Sequence, residues 1–348
     1  MVRFSVLEPW EDPRGGLIER VRIDNGIIAL EVLSLGGIIR ALWTPDKHNE
    51  RANIVLGCDS AADYLTQNAH LGAIAGRFAN RIANGKLRYQ DEHYQLDINS
   101  DTNCLHGGHE GFNRKQWQLG TLSDGVRLTL QSPDGDMGFP GNCTVQLDYR
   151  LAGNNLFVEI LASVDKPCPV SLTQHSYFNL DGSESNHEHL MQIDATQYLT
   201  MNEVGVPTGI APTQDSIFDL SVAGRLGDKL NHPALANTQG YDHCYLMNDD
   251  GDDSQSTELK RFGRLSSPIS GRAMTLYTNQ PGVQLYCANF LEGTLGKNQQ
   301  VLNNHHGVCI EPQQLPDAPN QMQLFNLDAW LKPGELYHHI SRYQFDTL

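Results

Sequence analysis

Apolar and polar residues alternate with period 2 along most of this 348-residue chain, in short runs cut off by Gly, Asn, Asp and Pro, and sustained helical periodicity is scarce. Side chains that alternate in this way stand on opposite faces of an extended strand, so the pattern commits the chain to antiparallel sheets with one face on a core. Val126-Arg127-Leu128-Thr129-Leu130 alternates cleanly, and residues 143–151 do so again. Gly153-Asn154-Asn155 then predicts a hairpin to Leu156-Phe157-Val158-Glu159-Ile160-Leu161. Gly138-Phe139-Pro140-Gly141-Asn142 predicts a turn. Residues 266–291 predict two strands broken at Gln280-Pro281-Gly282, and residues 335–345 a closing strand after the turn Lys332-Pro333-Gly334. The expectation is an all-β chain forming one large antiparallel β-sandwich domain over residues 1–348. The acid-rich stretch 248–267 is the best candidate linker, but similar strand-like sequence resumes beyond it, so it reads as a surface excursion. No repeat of fixed period supports a solenoid or propeller.

Charge narrows the partners. With 25 Lys+Arg against 41 Asp+Glu the net charge is −16, with no concentrated basic patch, which disfavours nucleic acid and anionic membrane surfaces. The seven cysteines, Cys58, Cys104, Cys143, Cys168, Cys244, Cys287 and Cys309, are scattered and never spaced C-x-x-C, against both a disulfide framework and a zinc ribbon. No apolar signal-like region opens the sequence, and the most apolar stretch, residues 27–43, is interrupted by Glu31, Ser34 and Arg40. A soluble, reduced, cytoplasmic protein is expected, monomer or homodimer, with no membrane partner.

Strand alternation also sorts the polar residues. Were residues 170–179 one strand, Ser171, Thr173, His175, Tyr177 and Asn179 would share a polar face, either solvent surface or the floor of a groove for a hydroxylated ligand. In Val308-Cys309-Ile310-Glu311, Glu311 opposes Ile310 and Pro312 is expected to end the strand; a charged edge residue is the bland alternative. Asp242 shares a face with Cys244 and Leu246, so it should be partly sheltered and need a partner, and Gln284 shares a face with Tyr286. His106 precedes Gly107-Gly108, glycines that allow a sharp turn and a close backbone approach. Asn80 and Arg81 offer an amide and a fork of donors for vicinal hydroxyls or a carboxylate, although Arg77 and Arg81 also read as surface charge. A carboxylate and imidazoles brought together from separate strands can take and give protons.

Taken in order, Gly76-Arg77-Phe78-Ala79-Asn80-Arg81-Ile82-Ala83, Asn103-Cys104-Leu105-His106-Gly107-Gly108 with Gly111-Phe112 and Trp117, Gln174-His175-Ser176-Tyr177-Phe178-Asn179-Leu180, Gly240-Tyr241-Asp242-His243, and Glu311 with Leu315-Pro316-Asp317-Ala318-Pro319-Asn320 resemble the aldose 1-epimerase (galactose mutarotase) family. The resemblance runs from about residue 70 to 320. It implies a galactose mutarotase-like supersandwich whose concave groove binds a free monosaccharide, with no cofactor and no metal. It further implies that Glu311 is the general base on the anomeric hydroxyl and His175 the acid on the ring oxygen. Asn80, Arg81, His106, Asp242 and Gln284 match substrate-binding positions, His106 also near the ring oxygen. Gln174 departs from the Asn common in relatives, but alternation puts it on the opposite face. Reference pKa values of about 4.3 for Glu and about 6.5 for His give an ionised base and a partly protonated acid near neutrality, a deficit that neighbouring carboxylates could correct.

Other chemistries compete. Asp242 and Glu311 could be the carboxylate pair of a glycoside hydrolase. A sugar-binding module would keep the groove without turnover, and a sugar-phosphate epimerase would want more cationic groups. His187-Glu188-His189, His305-His306 and His338-His339 suggest metal, yet adjacent histidines on a strand face opposite ways, and the downstream glutamate expected of a cupin-type H-x-H site is absent.

Overall fold

The computed structural model describes residues 2–247 and 258–348. Three sheets carry the architecture. The largest has nine strands in the order Gln118–Thr121, Gly125–Ser132, Cys143–Ala152, Asn155–Val164, Tyr337–Thr347, Arg272–Thr278, Lys260–Ser266, Leu190–Ile193 and Gly224–Arg225. The second has six: Tyr177–Phe178, Val308–Gln313, Gly282–Tyr286, Asp242–Leu246, Gln197–Met201 and Pro207–Pro212. The third is a five-stranded meander beginning at Arg3–Glu11 and ending at Arg51–Asn53. Their ladders are antiparallel.

The predicted hairpin is present: Cys143–Ala152 pairs with Asn155–Val164, setting Leu147 opposite Ile160 and Tyr149 opposite Val158. Buried positions alternate along both strands, and each fully buried aliphatic side chain contributes roughly 1.5–3 kcal/mol of hydrophobic stabilisation. A one-residue slip would turn that row to solvent, which fixes the register. Val145, Leu147, Val158 and Leu276 of the nine-stranded sheet share one core cluster with Leu199, Tyr245, Val283, Leu285 and Ile310 of the six-stranded sheet. Two sheets packed face to face through such a core make a β-sandwich.

Several expectations need correction. The break at residues 280–282 is real, but Arg272–Thr278 and Gly282–Tyr286 lie in different sheets, so this turn carries the chain from one layer to the other. Residues 170–179 are not one strand; only Thr173–Gln174 and Tyr177–Phe178 are extended pairs, because each pairs with a different partner, Ile74–Ala75 and Val308–Gln313. Lys260–Ser266, read as part of a surface excursion, is an interior strand of the nine-stranded sheet; residues 248–257 lie outside the described residues. Pro312 does not end its strand, which continues to Gln313, with Pro312 opposite Val283. The other edge of that strand is laddered to Tyr177–Phe178 only at Val308 and Cys309. Arg77 is not surface charge: it is 1% exposed and donates to Pro140 O at 3.0 Å, Gly141 O at 2.8 Å and Ser132 Oγ at 2.5 Å. All seven cysteines are buried and unpaired. Among the described residues no helix is long and apolar enough to cross a membrane.

Candidate active site

Three neighbouring strands of the six-stranded sheet, Asp242–Leu246, Gly282–Tyr286 and Val308–Gln313, bring three of the expected residues together. Gln284 lies directly opposite Glu311 and Tyr286 opposite Asp242. The amide Nε2 of Gln284 donates to Asp242 Oδ1 at 2.7 Å, which supplies the partner that a half-buried aspartate requires. His175 arrives from the far edge, just before Tyr177–Phe178 joins Val308–Gln313. Its backbone is braced by the segment ahead of it: Gly72 N–H donates to His175 O and His175 N–H to Ala73 O. Gln174 serves that brace, its amide donating to Gly72 O at 2.7 Å, while His175 and Tyr177 line the cavity.

The remaining face comes from two short segments. Arg81–Ile82 pairs with Cys104–Leu105, so Asn80, Arg81 and His106 converge. His106 N–H donates to Asn80 O, and Asn80 N–H donates back to His106 Nδ1 at 3.1 Å. An Nδ1 that accepts leaves the proton of the neutral ring on Nε2, so His106 presents a donor. Asn80 Oδ1 accepts from Arg81 N–H at 2.9 Å, which leaves the side-chain NH₂ as that residue's donor to the groove. Gly107 permits this turn: at φ +90° an added Cβ would sit 2.0 Å from Gly76 O, so no other residue fits. The 315–320 motif acts from behind, Asp317 accepting from Ala83 N–H at 3.0 Å and its own N–H donating to Arg81 O.

Together these elements enclose a cavity of about 750 Å³ lined by all seven expected residues, Asn80, Arg81, His106, His175, Asp242, Gln284 and Glu311. Glu311 is 2% exposed and His175 4%, which excludes the charged-edge reading of the first and the solvent-face reading of the second. His175 Nε2 stands 3.5 Å from Glu311 Oε2. That is ion-pair range but longer than a well-made hydrogen bond, and Glu311 Oε2, like Gln284 Oε1, is a buried acceptor without a hydrogen-bond partner. Two orphaned acceptors on a cavity floor call for donors from a ligand. Cys309 Sγ lies 3.6 Å from the other ring nitrogen of His175.

Burial overturns the protonation expected from reference values. The carboxyl of Glu311 is pushed well above the ordinary range, first by burial and then by the charge of Asp242, with Arg81 opposing. The imidazole of His175 is pushed down to about 3 by burial and by His70, and that of His106 also falls, chiefly through burial. Two groups that both resist charge, 3.5 Å apart, favour the neutral arrangement in which the carboxyl of Glu311 keeps its proton and the imidazole of His175 carries no charge.

Sequence reasoning missed His70, Tyr286 and Phe290, which also line the cavity. His70 and Phe290 lie in loops, where no alternation assigns a face; Tyr286 was placed beside Gln284 but given no part. Several histidines of the clusters singled out above are otherwise engaged. His338 Nε2 meets Glu159 Oε1 at 2.9 Å, the buried His339 bonds Leu172 O and Ser341 Oγ, and His189 Nε2 accepts from Leu180 N–H. Among the described residues the one metal-like group is His106, His175 and Glu311, with donor atoms within 4.8 Å of one another. A metal would need a lone pair on each histidine, but the Nδ1 lone pair of His106 is taken by Asn80 N–H and its Nε2 carries hydrogen. That donor set suits a hydroxylated ligand better than a cation.

The sequence matches the family model for aldose 1-epimerase over residues 19–344. The chain belongs to the aldose 1-epimerase family. It is 38% identical over 337 residues to the galactose mutarotase of Rattus norvegicus, covering 96% of this chain and 95% of that protein. To the aldose 1-epimerase of Escherichia coli (strain K12) it is 35% identical over 327 residues, 92% and 93% of the two chains. Among solved structures, an aldose epimerase homologue from C. elegans superposes with a TM-score of 0.85 at 27% identity, over 93% of this chain and 97% of the other. Galactose 1-epimerase from Lactobacillus acidophilus gives 0.82 at 26% identity, over 100% and 99%. The aldose 1-epimerase fold is therefore the galactose mutarotase-like β-sandwich anticipated from the alternation and the motifs.

Proposed function

We propose that this family member is an isomerase that interconverts the α and β anomers of free aldohexoses such as galactose and glucose by acid/base ring opening and reclosure, with Glu311 and His175 as its proton-transfer pair. The observation that carries the reading is the juxtaposition of those two side chains, both buried, 3.5 Å apart in the groove that the other five residues line. In ring opening Glu311 takes the proton of the anomeric hydroxyl, the C1–O5 bond breaks, and His175 delivers a proton to O5. The C1–C2 bond then rotates, and the reverse transfers close the ring on the other face. No covalent intermediate is needed, and assistance of this kind contributes about 10²–10⁴-fold.

The perturbed pair fits this cycle. Ring opening converts carboxylate and imidazolium into carboxylic acid and imidazole, the neutral arrangement that burial favours, so the proton resting on Glu311 passes to His175 before each ring opening. The interior thereby stabilises the protonation state of the opened sugar. Asn80, Arg81, His106, Asp242 and Gln284 are assigned to sugar hydroxyls, a role supported by their donors and acceptors around one cavity. One core cluster that draws on residues from Val21 to Phe345 supports treating residues 1–348 as one domain. Seven unpaired buried cysteines are in keeping with a cytoplasmic location.

Polarimetry on fresh α-D-galactose tests the reading. Equilibration should accelerate with this protein, while methyl and aryl galactosides, which have no anomeric hydroxyl proton, stay intact. Release of reducing sugar from an aryl galactoside at a comparable rate would favour a hydrolase built on Asp242 and Glu311.

A further inference from the structure

His70 takes no part in the proton transfers, yet it lines the cavity, its ring 4.8 Å from that of His106 and 5.8 Å from that of His175. Its Nδ1 lies 2.9 Å from Asn68 O. A carbonyl can only accept, so Nδ1 carries the proton and Nε2 is a bare acceptor. Burial pushes the ring down to about 4, which keeps that lone pair available at neutral pH. The neighbouring His106 presents the opposite polarity, an Nε2–H. A pocket that alternates acceptor and donor side by side is equipped to tell one hydroxyl from another.

The position of His70 selects which hydroxyl. Taking Glu311 and His175 as the proton-transfer pair, as proposed above, the C1 hydroxyl lies at Glu311 and the ring oxygen at His175. The donor atoms of His106, His175 and Glu311 cluster within 4.8 Å of one another, a triad that does not include His70. His70 lies against the His175 ring at an interplanar angle of 30°, and the Nε2 of that ring is turned to Glu311. Passing along the sugar from C1 through the ring oxygen therefore leads past His175 to C5 and its substituent on the side of His70. Next to His70 lie Asn68, Gln67 and Thr66, cavity residues that are exposed or half-buried at the mouth.

We infer that His70 is a specificity-determining residue whose Nε2 accepts a hydrogen bond from the C6 hydroxyl of an aldohexose. The side chain would thus favour hexoses over sugars that lack that hydroxyl, and it would do so by binding, without a role in the proton transfers.

The test measures kcat/KM for anomer exchange of galactose, 6-deoxygalactose and arabinose with the wild type, His70→Phe and His70→Gln. The wild type should prefer galactose to 6-deoxygalactose by roughly three- to tenfold, the worth of one neutral hydrogen bond that water can replace. His70→Phe should keep the ring packing and lose that same factor on galactose relative to 6-deoxygalactose and arabinose, the ratio between sugars being read so that any effect on the His175 imidazole common to all three cancels. His70→Gln, which retains a side-chain acceptor, should regain part of the galactose rate alone. Equal losses on galactose and 6-deoxygalactose would reduce His70 to a packing residue and overturn the inference while leaving the epimerase reading intact. A wild type that treats the two sugars alike overturns it without any variant. A wild type that exchanges neither sugar overturns the parent reading first, and this inference with it.

Discussion

Glu311 and His175 should behave as one catalytic unit, and a double-mutant cycle measures whether they do. The two side chains stand 3.5 Å apart, and the proposed cycle needs both ends of the proton exchange in every turnover. Glu311→Gln preserves shape but cannot accept the proton; His175→Asn removes the donor to the ring oxygen. Each single change should lower kcat by about 10²–10⁴-fold, a loss of roughly 3–5 kcal/mol of transition-state stabilisation. Independent contributions would multiply to about 10⁴–10⁸ in the double variant. A shared relay cannot be broken twice, so the double variant should be no slower than the worse single one. Fresh α-D-galactose followed in a polarimeter, corrected for spontaneous mutarotation, gives all four rates, and binding of the sugar followed by calorimetry should survive in both singles. Multiplicative losses, or near-normal turnover by either single variant, would refute the shared-relay reasoning.

The protonation account sets the pH behaviour. Asp242→Asn removes an anion that holds the Glu311 carboxyl high, so that carboxyl should ionise at lower pH, the pair lose its last proton sooner, and the alkaline limb of kcat/KM move toward neutrality; a limb that does not move in a pH–rate series contradicts this. Stability responds with the opposite preference. Folding binds the Glu311 proton more tightly than the unfolded chain does, so wild-type stability declines as pH rises from about 4.3 toward the raised folded value, whereas the neutral amide of Glu311→Gln escapes that loss. The variant should melt above wild type at pH 8 by scanning calorimetry, with the gap closing near pH 4; a variant less stable at pH 8 counts against the burial argument.

Much of this was legible in the sequence, and the reasons differ by segment. The hairpin over residues 143–164 was readable because one face of each strand is buried and one is not, which writes the sheet directly into the residue order. Glu311 and Gln284 were placed on faces by the same logic and do meet across adjacent strands. Residues 170–179 looked like one strand because period 2 persists through an irregular stretch; alternation records facing, and says nothing of where a partner strand ends. Lys260–Ser266 was hidden by its acidic neighbours, since Arg261 and Arg264 interrupt the apolar pattern on the exposed face. His70 sits outside any strand, so only the folded chain brings it against His106 and His175. The inverted protonation of Glu311 and His175 was out of reach for a similar reason: reference pKa values describe solvated groups, and the shift comes from burial by residues far apart in the chain.

The central claim is that Glu311 and His175 bracket the anomeric centre of a free sugar, and a crystal structure of the Glu311→Gln variant soaked with D-galactose tests it most directly. The account predicts the C1 hydroxyl within about 3 Å of the side chain at position 311, the ring oxygen within about 3 Å of His175 Nε2, and the C6 hydroxymethyl directed toward His70. A galactose bound with its anomeric carbon turned away from both position 311 and His175 would contradict it.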